Sequence, residues 1–352
     1  SRLFVKTKSF IGMWFICFVF FLIWPATSCR LEARRRTANV RTMHILSMGR
    51  VGSCFTQSLV KHRIPGEDHG PSIFEPFGGI VEGKGILTLA PSHVQCLYDC
   101  HQCGAGDVSA ASGEALDRFC ASVDDGTELR PLLVKTTRLI DLRTLVSAVP
   151  QDQLLQSRFV LLLRDPRGVW ASLKPFPGWA ISNIPLVCKA LLVQALTLPA
   201  LAQAVGDDRL HVALFEEWSW DVEGFATVLG NVFGLDQSSI SNMREWGGER
   251  QMTATELDPP KWATVLGSGE VDSIQNDDHC SAFMHRLGYK HHTGGVYTEG
   301  ALASKEQLLA SLTVEEEQML GSIVGETMAL ESTDATSPPF IFDPVGNVPL
   351  EA

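Results

Sequence analysis

Positive charge is what this chain of 352 residues is short of: 29 Lys and Arg stand against 40 Asp and Glu, a formal net charge of −11. A nucleic-acid backbone calls for a basic surface, so nucleic acid is excluded as the main partner. Any anionic ligand must be held by a local gathering of Arg and Lys rather than by the global field. Charge of either sign is missing from Ser9 to Cys29, a run of 21 residues. The first glycine loop lacks a Lys followed by Ser or Thr, so it is not a Walker A loop, and an ATP- or GTP-hydrolysing reading weakens. No second CxxC or HxxxH completes a zinc site around Cys96, Cys100, Cys103 and Cys120, whose spacing is loose, and disulfides are the preferred use. Internal repeats are absent as well.

What is present is a composition able to build a core, with 45% hydrophobic and 20% charged residues. The length allows one large α/β domain or two ordinary ones. The uncharged run has an apolar centre from Phe10 to Trp24 and could just span a bilayer, which takes roughly 20 residues. Arg2, Lys6 and Lys8 precede it, while Arg30, Arg34, Arg35, Arg36 and Arg41 follow, a balance that does not favour a cytoplasmic N-terminus. Ala26-Thr27-Ser28 resembles a small-residue cleavage site. A retained anchor is preferred to a cleaved signal peptide, and either places the rest of the chain in the secretory pathway. Nine cysteines suit that compartment; with Cys17 and Cys29 in or beside the apolar run, seven remain, so at least one thiol is free.

Met43 to Met48 reads as a strand, followed by Gly49-Arg50-Val51-Gly52-Ser53 and a helical pattern from Cys54 to His62. Further short apolar runs at Leu132–Thr136, Phe159–Leu163 and Leu210–Phe215 lack alternation, as parallel strands buried on both faces do. Helical patterns occupy Ile140–Ala148, Val169–Leu173, Pro185–Ala204 and Val222–Phe233, with an acidic one from Thr313 to Leu330. Strands alternating with helices predict an α/β fold with a central parallel sheet flanked by helices. The Gly- and Pro-rich stretch from Gly66 to Pro91 reads as a long loop. The expected organisation is an anchor or signal segment with a short stem over 1–42, a main domain over 43–292, and an acidic helix and tail over 293–352.

Two segments carry candidate chemistry. A strand, a glycine-containing loop and a helix start present backbone N–H groups and a cation, Arg50, to an anion. Taken alone, Gly-Arg-x-Gly-Ser is also an ordinary turn. The strand at Phe159–Leu163 runs straight into Arg164-Asp165-Pro166-Arg167, with Ser172 eight residues after Arg164, a natural phosphate clamp. Lys135 and Arg138 follow another apolar run, so Arg50, Lys135, Arg138, Arg164 and Arg167 converge on one sheet edge. The plainer alternative is that Asp165 pairs with Arg167 or Arg138 and caps a helix. Trp170, Trp179, Trp218 and Trp220 suit either sugar stacking or a core, and the core is the commoner use.

In this order the residues resemble the Golgi carbohydrate sulfotransferases that modify the 6-position of galactose, N-acetylgalactosamine or N-acetylglucosamine. The family's 5'-phosphosulfate loop matches Arg50-Val51-Gly52-Ser53-Cys54-Phe55, and its 3'-phosphate motif matches Arg164 to Ser172. Phe74-Glu75-Pro76, Lys135 to Leu142, Phe215-Glu216-Glu217-Trp218 with Phe233-Gly234-Leu235, and Cys280 with Leu287-Gly288-Tyr289 complete a set spanning Ile45 to Tyr289. Cys54 departs from the family's second loop Ser, and Leu173 stands where the family usually has Arg.

The resemblance implies the P-loop-like sulfotransferase fold and 3'-phosphoadenosine 5'-phosphosulfate as co-substrate, with no metal required. It implies a glycan or glycosaminoglycan acceptor, a homodimer as one assembly open to the chain, and a single-pass type II Golgi membrane protein with a lumenal catalytic domain, or a secreted one after cleavage. Arg50 would neutralise the phosphosulfate bridge, with Val51, Gly52, Ser53, Cys54 and Phe55 lining it. Arg164 and Ser172 would hold the 3'-phosphate, and Glu75 would be the general base. It also implies the pairs Cys100–Cys120 and Cys188–Cys280. A nucleotide kinase-like enzyme and a non-catalytic lumenal glycan-binding protein are the rival readings.

Overall fold

The computed structural model describes residues 42–61, 72–74, 91–98, 113–114, 116–117, 120–121, 132–137, 139–175, 183–248, 260–290 and 302–331. The N-terminal apolar segment, Glu75, Arg138, Cys100, Cys103, Trp179 and the C-terminal tail lie outside these residues. Among the described residues five strands form one sheet: β1 (Thr42–Ser47), β2 (Ser72–Phe74), β3 (Leu132–Thr136), β4 (Arg158–Leu163) and β5 (Leu210–Leu214), in the order β2-β3-β1-β4-β5. Every neighbouring pair is parallel; Ile45 lies opposite Lys135 on one side and Val160 on the other. All positions of β1 and β3 are buried, which is why their sequences run apolar without alternation. The α/β class with a central parallel sheet flanked by helices is therefore as expected.

Two local outcomes differ from the sequence reading. Ser72–Phe74, inside the stretch read as loop, adds an edge strand to β3. Three residues are too few to show a period. The last strand stops at Leu214, and Phe215 opens a short helix instead of closing the strand.

The helices preceding β5 are α1 (Ser53–Lys61), α2 (Pro91–Cys96), α3 (Arg143–Ala148), α4 (Gln151–Leu154), α5 (Pro166–Leu173) and α6 (Ile184–Val205). After β5 come α7 (Phe215–Trp218), α8 (Val222–Phe233), α9 (Gln237–Gly248), α10 (Lys261–Val265), α11 (Ser268–Gln275), α12 (Asp278–Leu287), α13 (Lys305–Leu309) and α14 (Val314–Glu331). Helix α6 is long and apolar enough to cross a membrane by length and composition, yet it packs inside the protein with Leu191, Val193 and Leu198 buried. Its polar residues are used internally: Thr197 Oγ1 accepts from Leu142 N–H at 3.1 Å and Gln194 Nε2 donates to the Leu139 carbonyl at 3.3 Å. Cys188 of α6 forms a disulfide with Cys280 of α12, as the resemblance implied. Cys120 is also disulfide-bonded. The acidic helix α14 docks on α6 through Lys189–Glu326, and Leu308, Leu320 and Ile323 join the main core.

Because the sheet is wholly parallel, the carboxyl ends of its strands share one edge. From β1 the chain crosses toward β2 and β3, whereas from β4 it crosses to β5 on the other side. The carboxyl ends of β1 and β4 therefore flank the point where connections diverge, the crevice in which open α/β sheets bind ligands.

Candidate active site at the carboxyl edge of the sheet

The loop leaving β1 is tightly wound. Gly49 (φ 101°), Arg50 (φ 56°) and Gly52 (φ 85°) all sit in the left-handed half of backbone space. For Arg50 this is a strained conformation, worth about 1–3 kcal/mol, of the kind that persists where the surroundings hold it. Those surroundings are the end of β4 and helix α5. Arg164 Nη1 donates to the Arg50 carbonyl at 3.0 Å, and Arg50 Nε donates to the Ser172 carbonyl at 3.2 Å and to Ser172 Oγ at 3.1 Å. Three residues named from sequence are thus interlocked although more than 110 positions separate Arg50 from the other two. Burial depresses both guanidinium groups below their ordinary values, and the Arg50 charge further lowers Arg164.

Gly52 is required twice over. Its φ is positive, and a Cβ there would lie 2.5 Å from Trp218 Cζ2. The Gly52 carbonyl accepts from the Thr56 N–H at 3.0 Å and from Thr56 Oγ1 at 3.1 Å, so the loop flows directly into α1. Val51 and Ser53 are buried, and Phe55 stacks on Trp218 at 5.7 Å between ring centroids. Cys54 is exposed, and its Sγ accepts from Lys135 Nζ of β3 at 3.7 Å. It is the free cysteine among the described residues. Leu173 is buried in the core.

The Arg164 side chain lies across the Phe215 ring, 3.9 Å from its centroid, and its Nε is buried without a hydrogen-bond acceptor. Gly168 leaves it room: a Cβ there would come 2.7 Å from that Nε. A buried guanidinium N–H without an acceptor, at a strand end facing a glycine loop, fits an anionic oxygen arriving from outside. Arg167 does not join this edge. It pairs with Asp165 at 2.6 Å in a fully buried ion pair, donates to Gln275 Oε1 at 3.0 Å and lies 4.4 Å over the Trp262 ring. Asp165 also caps α5 by accepting from Arg167 N–H at 2.8 Å. For this residue the plainer alternative holds: a structural ion pair, not a ligand contact.

Sequence reasoning gave no role to Glu216 or Tyr289, although both fall in quoted motifs. Glu216 Oε1 accepts from the Asp165 N–H at 3.1 Å and Oε2 from the Tyr289 hydroxyl at 2.6 Å. The signal available was an acidic residue two positions past a buried strand. Of the tryptophans, Trp218 is core, sandwiched near Phe55 and Phe225; Trp170 donates to Glu270; Trp220 is exposed. Among the described residues, Cys188, Asp277 and Cys280 lie close enough for a metal, but the two sulfurs are bonded to each other.

No family model and no curated protein matches the sequence. A comparison with solved structures finds similarity to sulfotransferases, at low sequence identity. The sulfotransferase domain of the Synechococcus olefin synthase is 18% identical, covering 69% of this chain and 94% of its own, with a TM-score of 0.40. A mouse sulfotransferase complexed with PAP is 11% identical over 83% of this chain and 88% of its own, TM-score 0.36. A sulfotransferase from Mycobacterium avium is 12% identical over 70% and 76%, TM-score 0.36.

Proposed function

We propose that this chain is a carbohydrate sulfotransferase, moving a sulfuryl group from 3'-phosphoadenosine 5'-phosphosulfate to a sugar hydroxyl, in a 6-O position, of a glycan or glycosaminoglycan. The observation that carries this reading is the interlock of Arg50, Arg164 and Ser172 at the divergence point of a parallel sheet. Two cations from two strand ends, in the order and spacing of the family's two donor motifs, suit a ligand with two separate anionic groups. When bound, the donor supplies the sulfuryl group. The protein's part is positioning and electrostatic stabilisation, which dominate such in-line transfers.

Arg50, with the backbone N–H groups of Gly52 and Ser53, would neutralise charge on the phosphosulfate side. Arg164 and Ser172 would hold the 3'-phosphate, the group that distinguishes this donor from other adenine nucleotides. Lys135, reaching the same loop, adds positive charge beside Cys54. Glu75 follows edge strand β2 directly in sequence and is the proposed base for the acceptor hydroxyl. Residues 43–292 would carry the chemistry, 1–42 would anchor the chain in the Golgi membrane with the domain in the lumen, and 293–352 would add the acidic helix and tail. The buried Cys188–Cys280 bond is consistent with that compartment. Incubating the protein with sulfur-labelled donor and a panel of galactose-, N-acetylgalactosamine- and N-acetylglucosamine-terminated acceptors tests it. Label transferred to the 6-position of one class is expected; donor binding without transfer to any acceptor would overturn the enzymatic reading.

A further inference from the structure

Glu216 is an enclosed acid that the proposed reaction leaves unused. It sits in the first turn of α7, and both carboxyl oxygens accept hydrogen bonds, from Asp165 N–H and from the Tyr289 hydroxyl. The charged and titratable groups facing it are Arg164 and Asp165 at the β4–α5 junction and Tyr289 after α12; Glu217 follows on its own element, and Arg50 bears on Arg164. Glu216 is placed beside Arg164 by the fold without pairing with it: its Oε1 accepts from the N–H of the next residue, Asp165, whose own carboxylate is committed to Arg167. The Phe215 ring against Arg164 holds the guanidinium in place beside both.

Given that Arg164 receives the 3'-phosphate, as proposed above, the incoming group brings about −1.5 to −2 charge to a cation that has the enclosed Glu216 carboxylate as a neighbour. Two anions sharing one cation in an enclosed site raise each other's proton affinity. We propose that Glu216 is the counter-ion and positioning residue of Arg164, and that it takes up a proton from solvent when a phosphate binds there. Burial, helped by Asp165, already pushes this carboxyl up to about 7 against the opposing pull of Arg164 and the Tyr289 hydroxyl. A further rise on binding therefore falls within the neutral range.

The sign follows from linkage. A group whose proton affinity rises on binding makes the ligand bind more tightly as pH falls through its range. Each unit by which binding raises the Glu216 value corresponds to about a tenfold weakening of affinity between pH 6 and 9. Titration calorimetry of the full chain with 3'-phosphoadenosine 5'-phosphate, at pH 7.5 in buffers of differing ionisation enthalpy, reads the proton directly. Net proton uptake is expected, opposite in sign to the release that the ligand's own phosphate would give on meeting a cation. Glu216→Gln, neutral at every pH, should abolish the uptake and remove its share of the pH dependence. Tyr289→Phe removes a hydrogen bond that favours the ionised form and should move the uptake to higher pH. The wild-type measurement stands whether or not the variants fold. Binding without uptake in the wild type, or unchanged uptake in Glu216→Gln, overturns the proposal while leaving the donor site intact. No binding at any pH overturns the donor-site reading, and this proposal with it.

Discussion

Replacing Gly52 with Ala adds one methyl group at the point where the anion-facing loop touches the aromatic core. That methyl would meet Trp218 Cζ2 at 2.5 Å, Trp218 Cη2 at 2.8 Å and Phe215 Cδ2 at 3.4 Å. Trp218 cannot retreat easily, since it stacks on Phe55 at 5.7 Å and Phe225 at 4.8 Å, with the Phe215 edge at 5.0 Å. The φ of 85° adds a left-handed penalty of about 1–2 kcal/mol for any residue with a Cβ. Overpacking adds about 1–3 kcal/mol. Together, Gly52→Ala should cost about 2–5 kcal/mol in urea unfolding, a large share of a typical domain's stability of about 5–15 kcal/mol. The displaced loop should also lose affinity for 3'-phosphoadenosine 5'-phosphate. Gly321→Ala, on the exposed face of α14 with nothing within 4 Å, is the control and should stabilise by about 0.5–1 kcal/mol. A Gly52→Ala protein as stable as wild type, with normal donor affinity, would refute the close packing of loop against Trp218.

Three further outcomes are expected. Arg167→Met leaves Asp165 buried without its cation and should lower stability by about 3–5 kcal/mol in urea unfolding; a loss under 1 kcal/mol would mean that the pair is not buried. Replacing Cys188 and Cys280 with Ala opens a cross-link between residues 92 apart and should cost about 2–5 kcal/mol, read as a lower urea midpoint under non-reducing conditions. Glu75→Gln should reduce turnover by about 10²–10⁴-fold with donor affinity nearly intact, and normal turnover would place the base elsewhere.

Much of the fold was readable because fully buried parallel strands leave uninterrupted apolar runs. β1, β3, β4 and β5 each lie within a residue or so of such a run. The edge strand β2 escaped because a three-residue strand paired on one side needs no apolar signature. Helices α9 to α12 escaped for a related reason. α9 buries few large apolar side chains, Ile240 and Met243 among them, α10 to α12 have only 5, 8 and 10 residues, and α12 starts on a local cap, where Asp277 accepts from the His279 and Cys280 N–H groups at 3.0 Å. At the site, cations at strand ends were legible as a set. Which of them face outward was not, because that depends on tertiary partners: Gln275 and Trp262 draw Arg167 inward, while Phe215 and the Arg50 carbonyl keep Arg164 at the edge. Glu216 was visible as a motif letter, but its enclosure by Asp165 and Tyr289 exists only in three dimensions.

The claim that Ser172 and Arg164 form a 3'-phosphate clamp is tested most directly at Ser172. Arg50 Nε also donates to the Ser172 carbonyl at 3.2 Å, so Ser172→Ala leaves the loop one of its two anchors on this residue. Binding of 3'-phosphoadenosine 5'-phosphate and of adenosine 5'-phosphate is measured side by side on the wild type and this variant. Loss of a hydrogen bond to a charged group, worth about 1.5–3 kcal/mol, should weaken the first ligand by about 10- to 100-fold and the second far less. Equal losses for the two ligands, or a wild type that does not prefer the 3'-phosphorylated one, would contradict the clamp.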